Sequence, residues 1–390
     1  MFRTILVLIS LVFFTSCLAQ KEQNLLQVGA ARIDSYLPLL QDKSVGLVVN
    51  NTSVVKGKHV VDFLRENGVN VSKVFAPEHG FRGDVSAGGE VNDGVDTKTG
   101  LPVFSLYGKT KKPSTEHLDG LDVMIFDIQD VGCRFYTYIS TLHLVMEACA
   151  ESSIPLIVLD RPNPNGDYIA GPIRKEGFES FVGMDPIPIV HGCTVGELAQ
   201  MINGEGWLEN RVKCELIVVP VKNYNHKMLY SLPVRPSPNL PNNLAVRLYP
   251  SLCFFEATSV SVGRGTDFPF QVLGGLNKNL GEFQFTPRSI PGVAIKPLNQ
   301  DQVCYGVDLR ELDEVPQFTL KYFLDFYEKY EDKEEFFTRE RWLNLLVGTD
   351  DLINQIRAGK TENEILDSWE PELIGYKEVR KKYLLYPDFE

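Results

Sequence analysis

The feature that most constrains this chain is an alternation. Short, continuous apolar runs at residues 45–49, 71–75, 122–128, 154–159 and 215–219 are separated by segments of helical period at 60–66, 141–151 and 194–203. Strands that are apolar throughout, rather than every second residue, are buried on both faces, which is the signature of a mostly parallel sheet covered by helices on each side. In the segment 141–151, Leu142, Val145, Met146 and Cys149 recur at i, i+3, i+4 and i+7 and define the face that packs on that sheet. The expected class is therefore α/β, with a Rossmann-like, mostly parallel sheet domain. The first strand, GLVVNNTSVVKG, does not enter a G-x-G-x-x-G turn, and neither does any later one, so a dinucleotide cofactor is disfavoured. No cofactor is expected.

The alternation stops at residues 233–243, PVRPSPNLPNN, where four prolines fix the backbone and remove donors. This is the best domain boundary: a catalytic domain over 25–240, then a smaller α+β auxiliary domain over 241–390, with short strand-like pieces followed by charged helices. A chain of 390 residues is long enough for both. Its formal net charge of −12 makes a polyanion such as nucleic acid a poor partner, and an anionic ligand must be held by local arginines. The first 19 residues, MFRTILVLISLVFFTSCLA, carry one early basic residue and an apolar run of about ten residues, too short to span a bilayer. They read as a signal peptide, with Phe14-Thr-Ser-Cys17 resembling a lipobox that would lipidate Cys17; cleavage after Ala19 is the alternative. The expected location is exported, periplasmic or outer-membrane-associated, as a bacterial lipoprotein. No two of the seven cysteines stand in a CxxC spacing, and no metal-ligand spacing appears; buried free thiols are the expected state.

In open parallel sheets, ligands collect at the carboxyl ends of the strands. Polar clusters sit there: Glu78 and His79 after 71–75, Asp127 and Asp130 after 123–126, Asp160, Arg161 and Asn163 after 154–159, and His191 after 187–190. Each has a structural reading as well. Asp127 is placed to pair with Arg134 or Arg161, Asp160 and Asn163 to shape a turn beside prolines, and His79 to bond a loop carbonyl. Glu197, three residues after Thr194, reads as a capping box. The run Arg134-Phe-Tyr136-Thr-Tyr138 mixes flat apolar faces with hydroxyls, which suits a sugar ring or a domain interface.

Seven ordered motifs, PEHGFRG (77–83), TGLPVFSLYG (99–108), FDIQDVGCRFYTYISTL (126–142), LDRPNPNG (159–166), HGCTVGELA (191–199), SPNLP (237–241) and VGRGTDFPF (262–270), together resemble the exo-β-N-acetylmuramidase family, once described only as a domain of unknown function. The resemblance runs from about residue 26 to the C-terminus. It implies a Rossmann-like domain and a smaller C-terminal domain with the active cleft between them, and hydrolysis of the β-1,4 bond that releases N-acetylmuramic acid from the non-reducing end of peptidoglycan fragments. Two departures stand out: Glu256-Ala-Thr-Ser259 where the family has Glu-Gly-Thr-Asn, and cysteines at 133 and 193. A glycosidase of this kind needs two carboxyl groups, or one together with the substrate's 2-acetamido group. Glu78, at an apolar strand end, is the first candidate for the acid; Glu90, in a Gly-rich loop, Asp127 and Asp130 compete for the second role. The lactyl carboxylate of muramic acid calls for a cation, and Arg82, Arg134, Arg161 and Arg264 all lie in the matched motifs. A non-catalytic wall-sugar-binding lipoprotein is the alternative from another class.

Overall fold

The computed structural model describes residues 25–82, 92–314 and 316–390. Its centre is a seven-stranded sheet built from β1 (Val45–Val49), β4 (Val71–Ala76), β5 (Gly94–Val95), β6 (Pro102–Ser105), β7 (Val123–Asp127), β8 (Leu156–Leu159) and β9 (Leu216–Val219), in the order β5-β6-β4-β1-β7-β8-β9. All pairings are parallel except that of the short edge strand β5 with β6. A small hairpin of β2 (Val54–Val55) and β3 (Lys58–His59) follows β1.

The apolar runs become strands because both of their faces are buried. Along β1, Val48 packs into one core while Val45, Leu47 and Val49 pack into the other. Helix α1 (Val60–Glu66) covers the second face through Val60, Val61 and Leu64. After the short α2 (Thr115–Leu118), helices α3 (Tyr138–Glu151) and α4 (Val195–Glu205) cover the first face. The expected quartet Leu142, Val145, Met146 and Cys149 is fully buried there. Helix α4 begins with the expected capping box: the Thr194 hydroxyl accepts from the Glu197 N–H, and the Glu197 carboxylate accepts from the Thr194 N–H.

Beyond the proline-rich segment, α5 (Asn243–Leu252) leads into an antiparallel sheet of β10 (Val272–Gly275), β12 (Cys304–Asp308) and β11 (Phe283–Phe285), then helices α6 (Lys321–Glu328), α7 (Glu340–Val347), α8 (Asp351–Arg357) and α9 (Glu362–Lys381). The first-face core continues without a break into this region, through Phe254, Phe270, Phe323 and Leu346. Arg134 pins the join. Its side chain is fully buried and donates to the carbonyls of Pro172, Ile187, Leu346 and Val347, so both ends of the guanidinium are committed. Gly348 follows at φ 82°, and a Cβ there would lie 2.7 Å from the Arg134 Nη2. The six described cysteines are free and buried, as expected. Cys17 and the whole leader segment lie outside the described residues.

Candidate functional site

The chain leaves β1 toward β4 and β6 on one side, then returns to β7 and continues through β8 and β9 on the other. The crevice of this sheet therefore opens at the carboxyl ends of β1 and β7. Side chains sew its floor together. Asn50 accepts from the N–H (2.9 Å) and hydroxyl (2.6 Å) of Thr52, whose hydroxyl in turn accepts from the Gln129 N–H (3.0 Å). The Ser53 hydroxyl donates to the Asp127 carbonyl.

Glu78 stands at the rim of this crevice. A tight turn after β4, closed by the Gly80 N–H on the Pro77 carbonyl (3.0 Å), holds it there. His79 occupies the third place of that turn at φ 71°, a conformation costly for a non-glycine residue and demanded there by a type II turn. Glu78 is half-buried, and its Oε2 accepts from the Thr137 hydroxyl (2.8 Å). Tyr107 also hydrogen bonds it; burial, with the Glu78 charge second, holds that phenol protonated as a donor. Next to Glu78, Arg82 pairs with both oxygens of Asp96 (3.0 and 2.8 Å) and stacks on Phe81. The hydrogen bond from Arg82 holds the Asp96 carboxyl down, at about 2.

Other carboxylates on the strand ends have different surroundings, and of the two roles expected for Asp127 the structure displays the pairing with Arg161. Asp127 has no exposed surface and is gripped by Arg161 through Nε (2.6 Å) and Nη2 (2.9 Å), a buried bidentate pair. Asp160 is equally buried. It accepts from the N–H groups of Arg161 and Gly196 and from the hydroxyls of Thr194 and Tyr386, so it anchors the start of α4 and the C-terminal segment. Burial pushes its carboxyl up to about 6, with the nearby Glu197 charge adding to the rise and the hydroxyl of Tyr386 opposing it. Asn163 shapes the neighbouring turn: its Oδ1 accepts from the Asn165 N–H and its Nδ2 donates to the Cys193 carbonyl. Glu90 lies outside the described residues.

His191 was expected after a sheet strand at 187–190. That segment instead makes only isolated bridges, Val190 pairing with Cys133 and with Ala170. The bridge to Cys133 nevertheless swings His191 toward Asp130, with 3.7 Å between Nε2 and Oδ2. The aromatic run takes the interface role rather than that of a sugar platform. Tyr136 and Tyr138 are buried, meet edge to face at 4.8 Å, and donate to the Pro236 carbonyl at 2.8 and 3.5 Å. Tyr138 also reaches the Glu78 carbonyl at 3.4 Å. From Tyr136 a ladder of rings continues through Tyr249 (5.9 Å) and Phe270 (5.0 Å) to Arg264, whose guanidinium lies over Phe270 and pairs with Glu256. Arg264 and Arg82 keep partly exposed side chains, at 27% and 34%; Arg134 and Arg161 do not.

Family models describe this architecture. The N-terminal model of the exo-β-N-acetylmuramidase NamZ matches residues 45–244, and the C-terminal model matches residues 247–386. The chain belongs to the NamZ family. Among its relatives is a Bacillus subtilis (strain 168) protein, "Peptidoglycan beta-N-acetylmuramidase NamZ", 40% identical over 91% of this chain and 90% of that one. Two crystal structures of DUF1343 family proteins from Bacteroides fragilis share the fold. One superposes with a TM-score of 0.86 at 45% identity, the other with 0.80 at 30% identity, each covering 93% of this chain and 99% of that one.

In NamZ-family terms the ladder joins the two modules: Glu78, Asp130 and Tyr136 belong to the N-terminal match, and Tyr249, Glu256 and Arg264 to the C-terminal one. Several site residues escaped the sequence reading. Thr137 and Tyr107 both touch Glu78, yet each sits inside a motif dominated by apolar neighbours, and nothing in the spacing pointed at the carboxylate. Asn50 carried a weak signal, as the first polar residue after β1 at the crevice.

Proposed function

We propose that this chain is an exo-acting peptidoglycan β-N-acetylmuramidase, cleaving the β-1,4 bond to N-acetylglucosamine and releasing N-acetylmuramic acid from the non-reducing end of wall fragments. The observation that carries this reading is the 40% identity, over nearly the whole chain, to a Bacillus subtilis protein named for that activity. The geometry supports it with Glu78. This carboxyl stands at the crevice of a parallel sheet, is bonded by the hydroxyls of Thr137 and Tyr107, and serves as the general acid that protonates the leaving oxygen. Arg82 and Arg264 keep partly exposed guanidinium groups beside the Asp96 and Glu256 pairs they make, and we assign them to the lactyl carboxylate.

The deciding assay is release of free muramic acid from MurNAc-β-1,4-GlcNAc, with the disaccharide of reversed order as control. Release from the muramic-first sugar alone supports the assignment; saturable binding of both sugars without cleavage of either would favour a sugar-binding protein instead. The basic start, apolar run and Cys17 of the leader support export with a lipid anchor. Replacing Cys17 by Ser should then move the protein out of the membrane fraction, and an unchanged distribution would argue for soluble export.

A further inference from the structure

Among the buried polar atoms at the crevice that have no hydrogen-bond partner in the described residues, two belong to adjacent side chains. They are Asp130 Oδ1 and His191 Nε2. Asp130 follows β7, the strand that forms one wall of the crevice, and is 4% exposed; His191 is wholly buried. Each is otherwise held firmly. Asp130 Oδ2 accepts from the Gly132 N–H at 2.6 Å, and the left-handed Gly132 (φ 77°) turns the chain so that this bond forms. The His191 Nδ1 accepts from the Cys193 N–H at 3.2 Å, which leaves the proton on Nε2, the atom aimed at Asp130. The backbone of the histidine loop is clamped by α9: Tyr376 donates to the His191 carbonyl and Arg380 to that of Gly192.

His191 Nε2 stands 3.7 Å from Asp130 Oδ2, too far for a direct hydrogen bond, and one water beside the pair that accepts from the imidazole and donates to Oδ1 would satisfy both orphaned atoms. The pair also adjoins the acid. Glu78 follows β4 and Asp130 follows β7, the two strands that flank β1 in the sheet, so the two carboxylates stand on either side of one crevice. Resting on the muramidase reading, we infer that Asp130 is the second carboxylate of the hydrolysis, the base that activates the attacking water, and that His191 is the positioning residue that holds both. Asp130 takes a proton from the water as its oxygen bonds to the anomeric carbon. The glycosidic C–O bond breaks with its electron pair on the leaving oxygen, which takes the proton of Glu78. Direct attack by water inverts the anomeric centre, so the sugar is released as the α-anomer.

The first test needs no variant. Proton NMR of the wild-type reaction on MurNAc-β-1,4-GlcNAc, followed from its first minutes, should show α-MurNAc forming before mutarotation supplies the β-anomer. Release of β-MurNAc first would overturn the inference while leaving the muramidase assignment standing; no release at all would overturn both. The second test separates the two carboxyls with an aryl β-muramide whose phenol leaves without protonation. Glu78→Gln should retain most activity on the aryl substrate while losing it on the disaccharide. Asp130→Asn, which keeps the acceptor for Gly132, should lose at least about a hundredfold on both. Full activity of Asp130→Asn on both substrates would mean that the water it holds is only structural. For His191, Leu should lower kcat by about ten- to a hundredfold with little change in KM, and Gln, which restores a donor near the Nε2 position, should recover much of it. Equal kcat for the wild type and the Leu variant would remove histidine from the mechanism.

Discussion

Glu78 and Asp127 occupy equivalent places in neighbouring parts of one sheet, each a carboxylate at the end of an apolar strand, and they do opposite work. Asp127 is fully buried and paired through both oxygens with Arg161, whose other neighbours include the Val54 carbonyl. Glu78 is half-buried on a turn with a left-handed residue beside it, bonded by hydroxyls. The difference lies in what the rest of the chain brings within reach. A guanidinium bonded to both oxygens of a fully buried carboxylate makes it a brace, whereas a half-buried carboxyl that accepts from hydroxyls stays at the rim of the crevice. A carboxylate after a strand is thus a necessary sign of a site in this fold, but not a sufficient one.

The sharpest way to break that comparison is to remove each carboxylate in turn. Glu78→Gln should lower cleavage of MurNAc-β-1,4-GlcNAc by at least about a hundredfold, the scale of a lost general acid, with an unchanged melting transition. A fall in melting temperature to match the activity loss would place Glu78 with the braces. Asp127→Ala should do the reverse. It strands the Arg161 charge in a dry site, and stability should drop by about 3–5 kcal/mol in denaturant titrations. A loss below about 1 kcal/mol would show that water reaches Arg161 and that the pair is no brace.

A third carboxylate cluster, away from the rim, extends the structural side of the contrast into pH. His143 on α3 touches Asp185 (2.8 Å) and Glu147 (3.2 Å), and all three are buried. Burial alone would push the imidazole down, but hydrogen bonds to Asp185 and then Glu147, with their charges, outweigh it and raise it to about 9. Its folded-state value lies above the ordinary 6.5, so the stabilisation is complete below about pH 6.5 and is lost as pH rises through about 9. The wild type should therefore lose on the order of 2 kcal/mol between pH 6.5 and 9.5 relative to His143→Gln. Parallel stability curves for the two proteins across that window would mean that the imidazole is neutral throughout.

The sheet and its helices were legible in the sequence because burial on both faces leaves continuous apolar runs, and because Thr194 and Glu197 spell a helix start in four residues. The site was legible only in outline. Clusters at strand ends follow from the sheet rule, yet whether Asp127 meets Arg134 or Arg161 depends on a turn 34 residues downstream, and Arg134 is instead consumed by carbonyls as distant as Leu346 and Val347. Nor does spacing reveal that His191 reaches Asp130 through the bridge between Val190 and Cys133 rather than from a strand end. Such long-range commitments arise from tertiary packing, to which local pattern is blind.

Asp160 offers the finest test, because it is a buried strand-end carboxylate that no cation among the described residues pairs with through its side chain. Its Oδ1 accepts from two backbone N–H groups, of Arg161 and Gly196, while its Oδ2 meets two hydroxyls, of Thr194 and Tyr386. Backbone N–H groups can only donate, but hydroxyls turn either way. An Asn at this place would keep its oxygen toward the N–H groups and offer its amide to the hydroxyls, preserving the network without a charge. Burial raises the wild-type carboxyl to about 6, above its ordinary value, so its contribution is full below about pH 4 and is lost as pH rises through 6. At pH 7 Asp160→Asn should then lie within about 1 kcal/mol of the wild type. The wild type should gain on the variant as pH falls from 7 to 4. A variant several kcal/mol less stable at pH 7 would mean that the charge itself is what the helix start and the C-terminal tyrosine require, and Asp160 would join Asp127 as an ionised brace.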